Sequence, residues 1–192
     1  MTTDTKPETK DDFSFKIGTT AWIAAAYVYY VFLEKDLHLL GSGDGLAYQL
    51  LIPAIGVVIY LGSIIAHEIG HAIALEAADI RVTGITIVFW GGYTSFGDSQ
   101  KLRTSGKTEF WTAAAGPLCN LVIAFLIYAF VLKMAAPQDV LNSFRSTNDL
   151  IELWSIFAVI LNCLLCVTNI LPVFPYDGGK MARGVLMGIT GN

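Results

Sequence analysis

The chain is short of charge. Of its 192 residues 15% are charged, against roughly a quarter in an ordinary soluble domain. With 54% hydrophobic residues and a mean hydropathy of +0.58, that shortage argues against a soluble globular domain and for an integral membrane protein. Histidine and cysteine are equally scarce, three of each. Three histidines are too few for a histidine-box oxygenase. Cys119, Cys163 and Cys166 all lie in apolar runs, so no disulfide framework is implied. The C-x-x-C spacing of the last two reads as two small residues on one helix. No basic patch with interleaved aromatics points to nucleic acid. No internal repeat or low-complexity segment is present. The net charge of −4 says little, because lysine and arginine cluster in particular loops.

What the sequence has in quantity is apolar blocks of membrane-spanning length. The expected fold class is an all-α polytopic membrane protein with about four transmembrane helices. The spans lie near residues 17–33, 46–78, 111–136 and 150–171, where roughly 20 apolar residues cross a bilayer core. Residues 1–16 are polar and of mixed charge, which reads as a disordered tail, and 17–192 form the core. The first run is no cleaved signal peptide, because its leader is long and acidic and Glu34-Lys35-Asp36 follows it. Pro53 suggests a bend in the second run. Between the second and third spans, Val82 to Tyr93 is rich in β-branched and aromatic residues, Gly91-Gly92 offers a turn, and Tyr93-Thr94-Ser95-Phe96 returns. That pattern predicts a short membrane-associated β-hairpin. Residues 180–192 read as an interfacial helix or the start of a further one.

Orientation follows from lysine and arginine. With four spans, residues 1–16, 79–110 and 172–192 share one side and carry three, four and two basic residues. The other side holds Lys35, Lys133 and Arg145. The positive-inside rule places the richer side, and so the N-terminus, in the cytoplasm.

Within the second run lies His67-Glu68-Ile69-Gly70-His71. Positions i and i+4 share a helix face, so His67 and His71 can coordinate one metal. Glu68 sits one position round, within reach of a metal-bound water. This H-E-x-x-H arrangement supplies two zinc ligands and a general base. Zinc lowers the pKa of its water toward ~7, and Glu68 is the candidate to take the proton. Ionisable residues inside an apolar helix are rare and functional by default.

A catalytic zinc takes three protein ligands and keeps one position open. The remaining histidine, His38, is on the opposite side. Glu76, Asp79, Asp98, Glu109 and Asp177 are the candidate carboxylates on the near side. Topology favours Asp177, because the fourth run ends where the second run exits. The prolines of Pro172-Val173-Phe174-Pro175 break the helix just before it, and such irregular backbone can line a polar cavity at membrane depth. Gly178-Gly179 would let the chain turn past the metal. Gly62, Ala66, Gly70, Ala74 and Ala78 form a small-residue ridge that admits a neighbouring helix. Ser155, Asn162, Cys166 and Asn169 form a polar stripe facing the bundle interior. Asn169 is a candidate catalytic residue on that stripe. Asn120 reads first as helix–helix glue, with substrate binding as its other role.

Three motifs in this order resemble the site-2 protease family of intramembrane zinc metalloproteases. They are His67-Glu68-Ile69-Gly70-His71, Ala115-Gly116-Pro117-Leu118-Cys119-Asn120, and Asn169 through Gly179 with its Pro172-Val173-Phe174-Pro175-Tyr176-Asp177 core. The resemblance covers residues 46 to 183. It implies one zinc per chain, with Asp177 as third ligand, Glu68 as catalytic base, and Asn169 helping to stabilise the oxyanion. It also implies that the Val82–Phe96 segment, with Gly91 and Gly92, engages substrate. Residues 79–110 are too few for the PDZ domain that many members carry there, and no CBS domain follows, so the expectation is a short form. The family's reaction is hydrolysis of transmembrane segments of membrane-anchored regulators, such as anti-sigma factors or membrane-tethered transcription factors. The expected setting is a prokaryotic cell membrane, with the site toward the cytoplasmic side. Two alternatives stand beside it: a membrane zinc transporter, and a non-cleaving pseudoprotease scaffold.

Overall fold

Long apolar stretches without interior glycine pairs make helices here, and the β-branched stretch after residue 81 makes strands. A computed structural model of the chain describes residues 13–39, 46–89, 91–97, 105–134 and 150–191. The described elements run β1 (Ser14–Ile17), α1 (Thr19–Leu39), α2 (Leu46–Ala77), β2 (Val82–Val88), β3 (Gly91–Phe96), α3 (Gly106–Met134), α4 (Leu150–Ile170) and α5 (Asp177–Thr190). The residue 1–12 part of the expected tail lies outside the described residues.

Helix boundaries depart from the hydropathy blocks for local reasons. α1 continues through Glu34-Lys35-Asp36 to Leu39, because straight-chain charged residues such as Glu and Lys are good helix formers even where they end an apolar run. α3 begins at Gly106, not at residue 111. Ser105 Oγ accepts the Thr108 amide at 3.1 Å, an N-cap bond, and Glu109 lies in the first turn, where the helix dipole favours a carboxylate. α2 runs unbroken through Pro53. It ends in a turn where the Ile80 amide bonds the Leu75 carbonyl at 2.9 Å and Asp79 takes a left-handed φ of 59°.

Among the described residues, two helical stretches are long and apolar enough to cross a membrane, Leu50–Ala77 and Gly106–Val131. These match the second and third expected spans. The fourth is apolar over Trp154–Ile170, which is shorter. The first carries Thr19, Thr20 and three tyrosines besides its charged end.

The expected two-stranded hairpin is part of a three-stranded sheet of order β1-β2-β3. β2 and β3 pair antiparallel, as a hairpin must, from Val88↔Gly91 to Val82↔Phe96, with an irregularity near Val82 and Gly84. β1 pairs parallel to β2 from Ser14↔Gly84 to Ile17↔Ile87. This corrects the disordered assignment for residues 14–16 and the helical one for Ile17. The pairing uses backbone groups, which every residue supplies, and Phe15 is left 47% exposed. Phe13-Ser14-Phe15-Lys16-Ile17 does alternate, but five residues leading into an apolar run are too few to separate a strand from the start of a span.

The main apolar cluster joins Ala21 and Ala24 of α1, Tyr60 and Ile64 of α2, and Ile85 and Ile87 of β2, with Leu161 and Leu165 of α4 against it. It fastens the sheet to the helices beside residue 68. Of the small-residue ridge on α2, Gly70 is the working member. A Cβ there would come within 2.8 Å of the Ala115 carbonyl and 2.9 Å of Cys119 Cβ on α3, whereas one at Gly62 would meet nothing within 4 Å. α2 and α3 are therefore in closest approach level with the histidines.

Candidate metal centre and active site

α2 and α3 meet along matched ridges. Ser63, His67 and His71 lie at fourfold spacing on α2, and Thr112, Gly116 and Asn120 lie at the same spacing on α3. The helices run in opposite directions, so His67 faces Asn120 and His71 faces Thr112. His67 Nδ1 lies 2.5 Å from Asn120 Oδ1, and His71 Nδ1 lies 2.7 Å from the Thr112 carbonyl. A carbonyl oxygen only accepts, so each imidazole donates from Nδ1 and presents its Nε2 lone pair to the space between the helices. Gly116 makes that space. A Cβ at this position would lie 2.7 Å from His67 Nε2 and would run into the His71 ring.

Asp177 enters the same space from the first turn of α5. Its Oδ2 lies 3.0 Å from His67 Nε2 and 2.9 Å from His71 Nε2, and the two Nε2 atoms are 3.1 Å apart. Three lone-pair atoms thus converge from buried residues. With both Nδ1 protons spent elsewhere, a cation satisfies all three at once. Ligands about 2.0–2.1 Å from a tetrahedral zinc are roughly 3.3 Å apart, close to the spacing found, so this donor set fits zinc. Burial by itself would raise the Asp177 carboxyl. Lys180 acts against that and favours the charged carboxylate. Lys180 Nζ donates to Asp177 Oδ1 at 2.9 Å, leaving Oδ2 for the metal.

Local sequence explains how Asp177 arrives. α4 stops at Ile170, ahead of Pro172 and Pro175, and residues 171–176 carry the chain round. The turn falls there and not at Gly178-Gly179, which already belong to α5. The glycine at 178 serves close approach, since a Cβ would run into the Ile170 and Leu171 carbonyls. α5 is tied to α3 by Arg183, whose Nε donates to Glu109 Oε1 at 2.5 Å.

Two of the other candidate carboxylates are engaged elsewhere. Glu76 Oε1 accepts the Val82 amide at 2.6 Å. Glu109 accepts from Arg183, Asp79 sits in the exposed turn after α2, and Asp98 lies outside the described residues. We expect Asp177→Ala to lose zinc. Deleting an outer-shell partner of a metal ligand costs about 10–100-fold in affinity, and deleting the ligand should cost more. Metal analysis after dialysis against a zinc buffer measures this, and stoichiometric zinc on the variant would remove Asp177 from the ligand set.

Glu68 is 2% exposed and faces β3. Thr94 Oγ1 donates to its Oε2 at 2.9 Å. Gly92, two residues earlier on the same strand face, leaves it room, since a Cβ there would come within 2.9 Å of Oε1. Two cavities meet at this carboxylate. One, of about 510 Å³, is bordered by Glu68, His71, Thr94, Glu109, Asp177 and Lys180. The other, of about 320 Å³, is bordered by Glu68, His67, Gly91, Gly92, Asn169 and Asp177. Asn169 is half-buried on the second wall, its Nδ2 donating to the Leu165 carbonyl at 2.9 Å.

Asn120 needs correction as a substrate-binding candidate. It is 0% exposed. Its Oδ1 faces His67, and its Nδ2 donates to Asn162 Oδ1 at 2.7 Å and to the Ser63 carbonyl at 3.2 Å. No face is left for a substrate. Sequence reasoning missed Thr94, Gly116, Thr112 and Lys180. Three of them had a signal: Thr94 alternates with Gly92 on one strand face, and Thr112 and Gly116 precede Asn120 by eight and four residues.

The family model for Peptidase family M50 matches residues 55–149. That match places the chain in the site-2 protease family. Within the family, the zinc metalloprotease Rip3 of Mycobacterium tuberculosis is 30% identical over 136 residues, 71% of this chain and 32% of that protein. The zinc metalloprotease sll0528 of Synechocystis is 26% identical over 144 residues, 74% of this chain and 34% of that protein. The chain thus spans about a third of the length of these relatives. A solved structure of the site-2 protease from Methanocaldococcus jannaschii shares the fold, with a TM-score of 0.54 at 19% identity, over 91% of this chain and 67% of that one. The family match carries His67, Glu68 and His71 but stops before Asp177. The family and the two long apolar helices together indicate a membrane protein. The relatives' names imply zinc as the metal that the His67, His71 and Asp177 group would hold.

Proposed function

We propose that this chain is the core of an intramembrane zinc endopeptidase that hydrolyses peptide bonds in transmembrane segments of membrane-anchored regulatory proteins, of the anti-sigma factor or tethered transcription factor type. The observation that carries this reading is the convergence of His67, His71 and Asp177 beside buried Glu68 on a helix apolar enough to cross a membrane. In this reading one zinc per chain sits on those three ligands. When bound, it supplies Lewis acidity toward water and the scissile carbonyl. Glu68 takes the proton from the attacking water at the oxygen that Thr94 leaves free, and delivers it to the departing amine. Asn169, on the cavity wall, donates to the developing oxyanion. The assignment to four spans, a cytoplasmic N-terminus, a site toward the cytoplasmic face and a prokaryotic cell membrane belongs to the same proposal and rests on the charge bias of the loops.

A substrate helix must unwind, because its carbonyls are tied to the amides one turn on. β3 has no strand on its far edge among the described residues, and Gly91 and Gly92 border the smaller cavity. The unwound segment pairs with that edge by β-augmentation. The test is cleavage of single-span substrates by the purified protein in detergent, with the cut mapped by mass spectrometry. A cut within the span, abolished by a chelator and restored by zinc, supports the proposal. Cuts confined to soluble unfolded peptides overturn it. In the same assay Gly91→Pro and Gly92→Pro are expected to slow cleavage of the helical substrate about tenfold or more, each removing one backbone donor at ~0.5–1.5 kcal/mol and the ring at 92 also crowding Glu68. Unchanged rates would remove the pairing step.

A further inference from the structure

The polar stripe on α4 holds one residue that the reaction above does not use. Asn162 is 1% exposed and touches neither cavity. Its Oδ1 accepts the Asn120 amide at 2.7 Å. Its Nδ2 donates to Ser63 Oγ at 3.0 Å and to the Ala158 carbonyl at 2.9 Å. Ser63 Oγ donates in turn to the Ile59 carbonyl at 2.8 Å. We propose that Asn162 is a positioning residue for the metal ligand His67, acting through Asn120 to hold the imidazole in its ligating tautomer.

The argument is one of hydrogen-bond direction. A primary amide can turn over and exchange its oxygen for its nitrogen. If Asn120 turned, its NH₂ would face His67 Nδ1. Nδ1 would then have to accept, the ring proton would move to Nε2, and His67 could not ligate. Asn120 is kept from turning by the acceptors around its Nδ2, the Ser63 carbonyl and Asn162 Oδ1. Asn162 could itself turn, were it not for the Ala158 carbonyl, which accepts only and so requires Nδ2 beside it. Ser63 contributes the same polarity, because its proton is committed to the Ile59 carbonyl and its lone pair is what Asn162 meets. Three backbone carbonyls, Ala158 on α4 and Ile59 and Ser63 on α2, therefore set the sense of a chain of bonds that ends at His67. Burial seals it. Asn120 is 0% exposed and Ser63 is buried, so water has no ready route to supply a substitute donor or acceptor. An isolated buried amide would cost stability for no gain, and a fully satisfied chain of this kind fixes one arrangement.

The experiment is a competition titration with zinc and a chelating dye on the full chain in detergent, with helix content and thermal midpoint followed in parallel. Asn162→Leu keeps the size and removes the acceptor for Asn120. It is expected to weaken zinc about 10–100-fold, the range for an outer-shell partner. Asn162→Asp keeps an acceptor oxygen for Asn120 but loses the donor to the Ala158 carbonyl, so it should bind zinc more tightly than the leucine variant and less tightly than wild type. Leu164→Ala, on the exposed face of α4, should bind zinc as wild type. A leucine variant that is folded but binds zinc within twofold of wild type overturns the proposal, as does a fall in thermal midpoint alone. If Asn162→Leu does not fold, Ser63→Ala carries the test, with a loss of about threefold or more expected and unchanged zinc affinity overturning it.

Discussion

Glu68→Gln is expected to stop peptide hydrolysis while leaving zinc in place. The amide matches the carboxylate in size, so the space between Gly92 and Thr94 stays filled. Neither Nε2 of the histidine pair nor Oδ2 of Asp177 depends on it. What the amide cannot do is take a proton. General base catalysis contributes about 10²–10⁴ in rate, and the loss here should lie at or above the upper part of that range, because in the proposed reaction the same residue also protonates the leaving amine. Initial rates on a single-span substrate, with zinc content measured on the same preparation, decide the matter. Cleavage within tenfold of wild type by a zinc-loaded variant would take the general-base role away from Glu68. Loss of cleavage together with loss of zinc would assign it a part in holding the metal instead.

Gly116→Ala should be almost as damaging, by a different route. On helix propensity alone the change favours α3 by up to about 1 kcal/mol, so any loss has to come from space. The new methyl would lie 2.7 Å from His67 Nε2 and against the His71 ring, in the volume a metal needs. α3 can withdraw only by opening the close contact of Gly70 on α2 with Ala115 and Cys119. Overpacking of this kind costs about 1–3 kcal/mol when absorbed by backbone shifts, and here the shift displaces both imidazoles. We expect zinc affinity to fall by about two orders of magnitude or more, on the scale of the larger outer-shell losses, with cleavage lost in parallel. Leu118→Ala, on the exposed side of the same helix, serves as the comparison. A Gly116→Ala protein that holds stoichiometric zinc at wild-type affinity would show that the ion sits elsewhere than between α2 and α3.

Parts of this site were readable before any coordinates. His67 and His71 share a face because helical periodicity is local, and Glu68 follows from its neighbour's position. Asp177 could be favoured by counting spans, since the chain must bring the end of α4 back to the end of α2. The β2–β3 hairpin showed in its β-branched residues and its glycine pair. β1 was missed although Phe13-Ser14-Phe15-Lys16-Ile17 alternates, because so short a pattern between a polar tail and an apolar run reads as their boundary, and its partner β2 lies some 70 residues on. The role of Asn120 was open on residue type alone, since an amide in an apolar helix serves packing and substrate equally well until its neighbours are known.

The sequence by itself determined the elements other than β1, the H-E-x-x-H pair on one helix face, and the carboxylate that topology brings nearest. Each of these depends on interactions within a few residues, or on the simple requirement that spans alternate. Tertiary structure alone decided the rest. It set Gly116 opposite two imidazoles, Thr94 on Glu68, Lys180 beside Oδ1 of Asp177, and the Ser63–Asn162–Asn120 chain behind His67. His71 and Asp177 are 106 residues apart, and Asn120 and Asn162 are 42 apart. Contacts at such separation are specified by how close the helices can come and by the direction in which each buried donor must point, and neither quantity is written at any single position.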